Sequence, residues 1–113
     1  MAISNVQRGA YYKSKTRKWL ERQGYQVADM EVVRWVGFPK RIPVKRDQWG
    51  SDLVAMRADG IVFVQVKGGQ SATGNFPAAR RTFAAFTWPT SPVVCRCVIA
   101  WLPRAKAPRV VWM

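Results

Sequence analysis

Three side chains near the middle of the chain have types and spacing suited to phosphodiester chemistry: Asp52, Gln65 and Lys67. Hydrolysing a phosphodiester calls for a divalent cation that neutralises developing charge and activates water. Magnesium takes an octahedral shell of oxygens and keeps several waters, so one or two protein oxygens suffice. Asp52 can give a carboxylate oxygen, Gln65 its amide carbonyl and Val66 its backbone carbonyl. Lys67 can then hold the attacking water or stabilise the crowded phosphate. Taken singly, each residue has a plainer reading. An Asp before an apolar strand is a turn or cap, a Gln inside one is a satisfied amide, and a Lys after one faces solvent. The chemical reading rests on the three standing together.

A hairpin would bring them together. Residues 49–67 read as two strands joined at Asp59-Gly60, a dipeptide suited to a two-residue turn with positive φ. Pairing Ala58 with Ile61 sets Asp52 opposite Lys67 and Val54 opposite Gln65. Opposed residues of an antiparallel pair share a face. Asp59 is then a turn residue, and the other acids are structural.

The charge balance points to the partner. Nineteen Lys and Arg stand against six Asp and Glu, a formal net charge of +13, and such a field attracts polyanions, nucleic acid above all. Residues 1–50 hold eleven of the bases and four of the acids. Histidine is absent, which excludes the usual zinc ligand and any Ser-His or Cys-His nucleophile pair. Cys95 and Cys97 lie two apart in an apolar run and give no disulfide framework, as expected in a reducing cytoplasm. The sequence has no apolar run of the roughly 18 residues a membrane span needs, so a cytoplasmic protein without signal peptide or membrane span is expected. The length, 113 residues, suits one domain (1–113).

The remaining elements follow in order. Residues 7–23 read as a helix ended by Gly24, with Tyr12, Thr16, Trp19 and Leu20 near one side. Arg8, Lys13, Lys15, Arg17, Lys18 and Arg22 surround that stripe, with only Glu21 to offset them. The helix therefore reads as one that tracks phosphates. Residues 25–36 read as one long strand and 37–50 as a loop. That loop mixes Lys40, Arg41, Lys45 and Arg46 with Phe38 and Trp49, an arm that can lie along a backbone or stack on an unpaired base. Residues 61–66 suit a strand covered on both faces, followed by a flexible loop over 68–75. A helix over 77–86 would pack Ala79, Phe83 and Phe86 inward and leave Arg80 and Arg81 outside. A buried strand over 93–102, carrying Cys95 and Cys97 on one face and Arg96 on the other, and an edge strand over 109–112 complete the chain. The order predicts an α/β fold with a mixed sheet and a helical crossover between the third and fourth strands.

Gly50-Ser51-Asp52-Leu53-Val54-Ala55 followed by Phe63-Val64-Gln65-Val66-Lys67 resembles the PD-(D/E)XK nuclease superfamily, in which Glu-x-Lys is common and Gln-x-Lys a variant. More narrowly the chain is similar to archaeal-type Holliday junction resolvases, including relatives carried by bacteriophages. Arg8-Gly9 opening the first helix, Leu20, then Gly24-Tyr25 and Val27 extend the likeness over residues 8 to about 100. The resemblance implies a restriction-endonuclease-like mixed sheet flanked by helices, an αβββαβ core with a C-terminal edge strand. It also implies a symmetric homodimer acting on four-way or otherwise branched DNA with Mg2+, or Mn2+ in its place, inside a bacterial or phage-infected cell. The chain departs from the family pattern twice: the first-helix Glu is Lys13 and the strand Glu is Gln65. Both changes remove negative charge from the metal site, so the metal binds more weakly or another acid, Glu21 or Asp47, assists.

Three readings follow. The first is a structure-selective endodeoxyribonuclease with Asp52, Gln65 and Val66 on the metal and Lys67 at the water or phosphate. In it Arg8, Lys13, Lys15, Arg17, Lys18, Lys40, Arg41, Lys45 and Arg46 hold DNA, and Trp101, Val111 and Trp112 suit a dimer contact if they are exposed. The second is an Mrr-like restriction-type nuclease. The third is a non-catalytic nucleic-acid-binding protein that keeps the fold.

Overall fold

A computed structural model describes residues 5–74 and 76–113, and the side chains of 5–7, 32 and 45–47 lie outside the described set. In chain order the elements are α1 (Asn5–Arg22), β1 (Gln26–Asp29), β2 (Glu31–Val36), β3 (Ile42–Asp47), β4 (Leu53–Arg57), β5 (Gly60–Gly68), α2 (Phe76–Ala84), β6 (Val94–Trp101) and β7 (Arg109–Trp112), with short 3-10 turns at Gln48–Gly50 and Ala72–Gly74. Helix α1 stops as its sequence requires. Gly24 takes φ 89°, its N–H reaches the Glu21 carbonyl, and the Tyr25 N–H reaches back to that of Leu20.

Five strands form one mixed sheet in the order β1-β4-β5-β6-β7. All neighbours are antiparallel except β5 and β6, which are parallel and joined through α2. Strand alternation sends successive side chains to opposite layers. Leu53, Ala55, Val62, Val64, Cys97, Ile99 and Trp101 meet Leu20 of α1, with Tyr12 and Trp19 packed against them. Val98 meets Ala79 and Phe83 of α2, with Phe63 and Trp88 alongside. The mixed α/β arrangement, the crossover and the C-terminal edge strand agree with the sequence reading.

Four expectations are corrected. The hairpin pairs Arg57 with Gly60 and Leu53 with Val64, two residues away from the expected register. The turn is Ala58-Asp59, closed by two hydrogen bonds from the Arg57 guanidinium to the Asp59 carboxylate at 3.1 and 3.2 Å. Gly60 serves close approach instead: a Cβ there would lie 2.7 Å from the Val93 carbonyl oxygen, which accepts the Ile61 N–H at 2.8 Å. A slip of one residue would swap faces, whereas a slip of two preserves them.

The long strand over 25–36 is two strands. At the break the Asp29 carboxylate accepts the Glu31 N–H at 2.8 Å, and a backbone donor committed to a side chain two residues away turns the chain. The supposed loop contains β3, which pairs with β2 as a separate two-stranded arm, Val36 against Ile42 and Trp35 against Pro43. Proline is tolerated because each strand of a two-stranded ribbon has one unpaired edge. Finally, α2 ends at Ala84 and leaves Phe86 38% exposed beyond it.

Trp101 is the largest fully buried side chain, at 1% exposure, so it lacks the exposure on which its suitability for a dimer contact depended. Its indole N–H donates to Thr16 Oγ1 at 2.9 Å, and that hydroxyl donates to the Tyr12 carbonyl at 2.7 Å. This two-bond relay fixes α1 on the sheet. Cys97 lies in the same layer, and burial, reinforced by Cys95, pushes its thiol up to about 12.

Candidate active site

Asp52 stands just before β4, and Gln65 and Lys67 alternate along the last turn-ward residues of β5, so the two β5 side chains face the α2 layer. The corrected register, continued one step, sets Asp52 level with Gln65 instead of Lys67. Asp52 Oδ2 accepts the Val66 N–H at 2.7 Å, and the Asp52 N–H donates to the Val64 carbonyl at 2.9 Å. The carboxylate is thus clamped to the neighbouring strand by both backbone and side chain. Gln65 is buried at 4% exposure and donates through Nε2 to the Ala79 carbonyl of α2 at 3.4 Å. That bond leaves Oε1 as the other arm of the amide fork.

Asp52, Gln65, Val66 and Lys67 line one cleft of about 390 Å3 together with Gly50, Thr82 and Phe86. The last three were not singled out by sequence reasoning. Gly50 has φ 67°, and a Cβ on it would come within 2.7 Å of Thr82 Cγ2. The absence of a side chain is what lets α2 close over this wall. The only legible signal was the glycine itself, placed two residues before Asp52. Trp49, immediately before it, also sits in the left-handed region at φ 52°, ψ 33°, an uncommon backbone for a bulky side chain.

The donor set is made of oxygens carrying a single carboxylate: Asp52, the Gln65 amide and the Val66 carbonyl. Such a set fits magnesium, which accepts few protein ligands and keeps water. Among the described residues no group of three or more His, Cys, Asp or Glu could hold a metal ion. Glu21 belongs to α1, which packs on the opposite face of the sheet from this cleft. The side chain of Asp47 lies outside the described set.

The basic residues divide into two groups. Three of those expected to hold DNA are engaged within the fold. Lys13 Nζ lies 2.6 Å from Asp29 and 3.1 Å from Glu31. Partial burial disfavours the Lys13 charge, yet hydrogen bonds and the fields of Asp29 and Glu31 outweigh that and hold its ammonium above the usual range. Burial likewise works against the Asp29 charge, and Lys13, the Glu31 N–H and Arg17 overcome it, holding that carboxyl below the usual range. Lys15 donates to the Ala105 carbonyl at 3.2 Å and lies 4.4 Å from the centre of the Trp101 ring. Arg17 donates to the Val27 carbonyl at 3.1 Å.

Arg8 and Lys18 are exposed, as are Lys40 and Arg41 on the β2–β3 arm. The side chains of Lys45 and Arg46 fall outside the described residues. Arg8 reaches the cleft end of the sheet, since a Cβ on Gly69 would lie 3.9 Å from its Cδ. Phe38, at the arm's tip, is 97% exposed. Of the residues expected at a dimer surface, Trp112 is 58% exposed and Val111 half-buried. No helix is long and apolar enough to cross a membrane among the described residues. Compared with protein-family models and with curated proteins, the chain matches none.

Proposed function

We propose that the protein is a metal-dependent, structure-selective endodeoxyribonuclease of the Holliday junction-resolving type, built on a restriction-endonuclease-like fold and acting as a cytoplasmic homodimer. One observation carries the reading: Asp52, Gln65, Val66 and Lys67 line a single cleft in a chain of net charge +13. Asp52, Gln65 and the Val66 carbonyl would hold Mg2+, or Mn2+ in its place. When bound, that ion supplies charge neutralisation at the phosphate and an acidified water. Lys67 supplies a second positive charge in the same cleft, placed to stabilise negative charge as it grows on the phosphate oxygens.

The Val66 N–H orients the Asp52 carboxylate before any ligand arrives, which lowers the cost of ordering it later. Exposed Arg8, Lys18, Lys40 and Arg41, with Lys45 and Arg46 along the arm, give the sequence-independent grip on the backbone. Three bases first assigned to that grip, Lys13, Lys15 and Arg17, act within the fold. The grip is therefore carried mainly by the arm and the start of α1. Trp112 is the remaining candidate for the dimer contact.

That Asp52 is the single carboxylate lining the cleft among the described residues also favours a second reading, a nucleic-acid-binding protein that keeps the fold without the chemistry. One assay separates the two. Purified protein and its Asp52→Asn variant are offered a four-way junction and a matched linear duplex, each with magnesium, manganese or chelator. Metal-dependent paired nicking of the junction, lost in the variant, is the expected result. Cleavage of the linear duplex would indicate a restriction-type enzyme instead. Tight binding without cleavage under either metal would leave the binding protein.

A further inference from the structure

Next to the cleft runs a second, apolar groove of about 360 Å3 walled by Trp49, Phe63, Phe86, Trp88 and Pro89. Its size falls within the range of about 300–1,000 Å3 common for small-ligand sites. Phe86 lines both, so groove and cleft are neighbours. On β5, Phe63 precedes Gln65 by two residues and points to the same layer.

The aromatic walls are fixed in advance. Trp88 donates its indole N–H to the Phe83 carbonyl at 2.8 Å, and its ring lies 4.9 Å from that of Phe63. Trp49 meets Phe63 edge-on at 5.7 Å and 81°, yet remains 51% exposed. It reaches this position only through the left-handed backbone noted above, a conformation that surrounding structure must impose and that clusters at functional sites. Beyond Trp88 the guanidinium of Arg96 sits over the indole at 5.2 Å. Thr90, Ser91 and Arg96 line the neighbouring surface, which shares Phe86, Trp88 and Pro89 with the groove.

We infer that this groove receives an unpaired nucleobase whose phosphate lies in the Asp52 cleft. The inference rests on the nuclease reading and adds to it how branched DNA would be told from plain duplex. Flat aromatic faces suit a base because every base has a π-face, whatever its identity. A base at a branch or single-strand end is already freed from part of its stacking, so extruding it costs less than from intact duplex. The positive field around the groove favours the attached phosphates. Its position beside the Asp52 cleft, with Phe86 lining both, favours a nucleobase over a protein partner, because a base and its own phosphate would occupy neighbouring sites.

Binding is measured in chelator, so that cleavage plays no part. Three probes are used: a duplex opening into a single strand, the same probe with the first unpaired base replaced by an abasic residue, and an intact duplex. Stacking of one base is expected to make the native protein prefer the base-bearing probe over the abasic one by about 5-fold or more. Trp49→Gly and Phe86→Ala should each lose most of that preference, and Trp49→Gly should still bind intact duplex as the native protein does. Glycine suits the backbone at position 49, so the first variant keeps the fold while removing the ring. Trp49→Phe should retain part of the preference. A preference that survives in both variants, or is absent from the native protein while DNA still binds, overturns the groove alone. Failure to bind any of the three probes overturns the groove and the nuclease reading together.

Discussion

Asp52 has one observed role and one proposed role, and two substitutions distinguish them. Its Oδ2 accepts the Val66 N–H at 2.7 Å, so the carboxylate is a structural clamp between the start of β4 and β5 as well as a proposed metal ligand. Asp52→Ala removes the acceptor and leaves a part-buried N–H without its side-chain partner. Hydrogen bonds to charged groups are worth about 1.5–3 kcal/mol, and partial exposure places this one near the lower end, about 1.5 kcal/mol. For a chain of 113 residues, an unfolding entropy of about 2.1 cal/mol/K per residue converts 1 kcal/mol into about 4 °C. Asp52→Ala should therefore lower Tm by about 6 °C. Asp52→Asn keeps a neutral acceptor in the same place and should cost about a third of that.

Under the proposed nuclease reading cleavage behaves differently: both variants should fall to background, because both lose the carboxylate that lines the cleft among the described residues. Binding in chelator should be preserved or tightened by Asp52→Asn, since an anion beside the phosphate has been removed. Calorimetric melts and junction-nicking assays on the same preparations give both axes. Equal destabilisation by Ala and Asn would refute the clamp. Metal-dependent nicking by Asp52→Asn at the native rate would refute the ligand role while leaving the clamp intact.

Two further outcomes test how α1 is held. Thr16→Val keeps side-chain volume but strips the buried Trp101 indole of its acceptor, which should cost about 1–3 kcal/mol. Thr16→Ser should recover most of that in the same denaturant titration, and a Thr16→Val variant as stable as the native protein would remove the relay from the account. The Lys13–Asp29–Glu31 cluster predicts a pH window. A raised Lys13 pKa gives stability that is complete below its ordinary value near 10.5 and fades as pH climbs through the higher folded value. A lowered Asp29 pKa gives stability that is complete above 3.8 and fades as pH falls through the lower folded value. The native advantage over Lys13→Met, about 0.5 kcal/mol after screening of half-exposed Asp29, should be flat from about pH 5 to 10 and shrink at both ends. A constant difference from pH 2 to 12 would count against it.

Much of the site was legible because alternation along a strand survives an error of two residues. Asp59-Gly60 suggested the wrong turn, since the glycine answers to the carbonyl of Val93, just before β6 and more than thirty residues away. Asp52, Gln65 and Lys67 nevertheless remained on one face. The arm was illegible for a different reason. Val33, Trp35, Val36, Ile42 and Val44 are all at least 44% exposed, so the described side chains of β2 and β3 lack the buried-exposed alternation that marks a strand against a core. The engagement of Lys13, Lys15 and Arg17 within the fold was illegible because their partners lie 10 to 90 positions along the chain. Local sequence shows six bases and one acid; only the fold shows which are spoken for. Phe86 was assigned inward by extending a helical period past the point where α2 ends.

The arm leaves and rejoins the body at one place. The Met30 N–H meets the Asp52 carbonyl, and the Gln48 N–H meets the Met30 carbonyl, each at 3.0 Å. Between those two points β2 and β3 pair only with each other. A ribbon anchored this way can be lengthened or shortened by matched pairs of residues, one on each strand, without shifting the register of the five-stranded sheet. The arm's reach is thus a dimension that evolution, or a designer, can set independently of the cleft around Asp52. The arm's root, bonded to the backbone of Asp52, stays where it is whatever length is chosen.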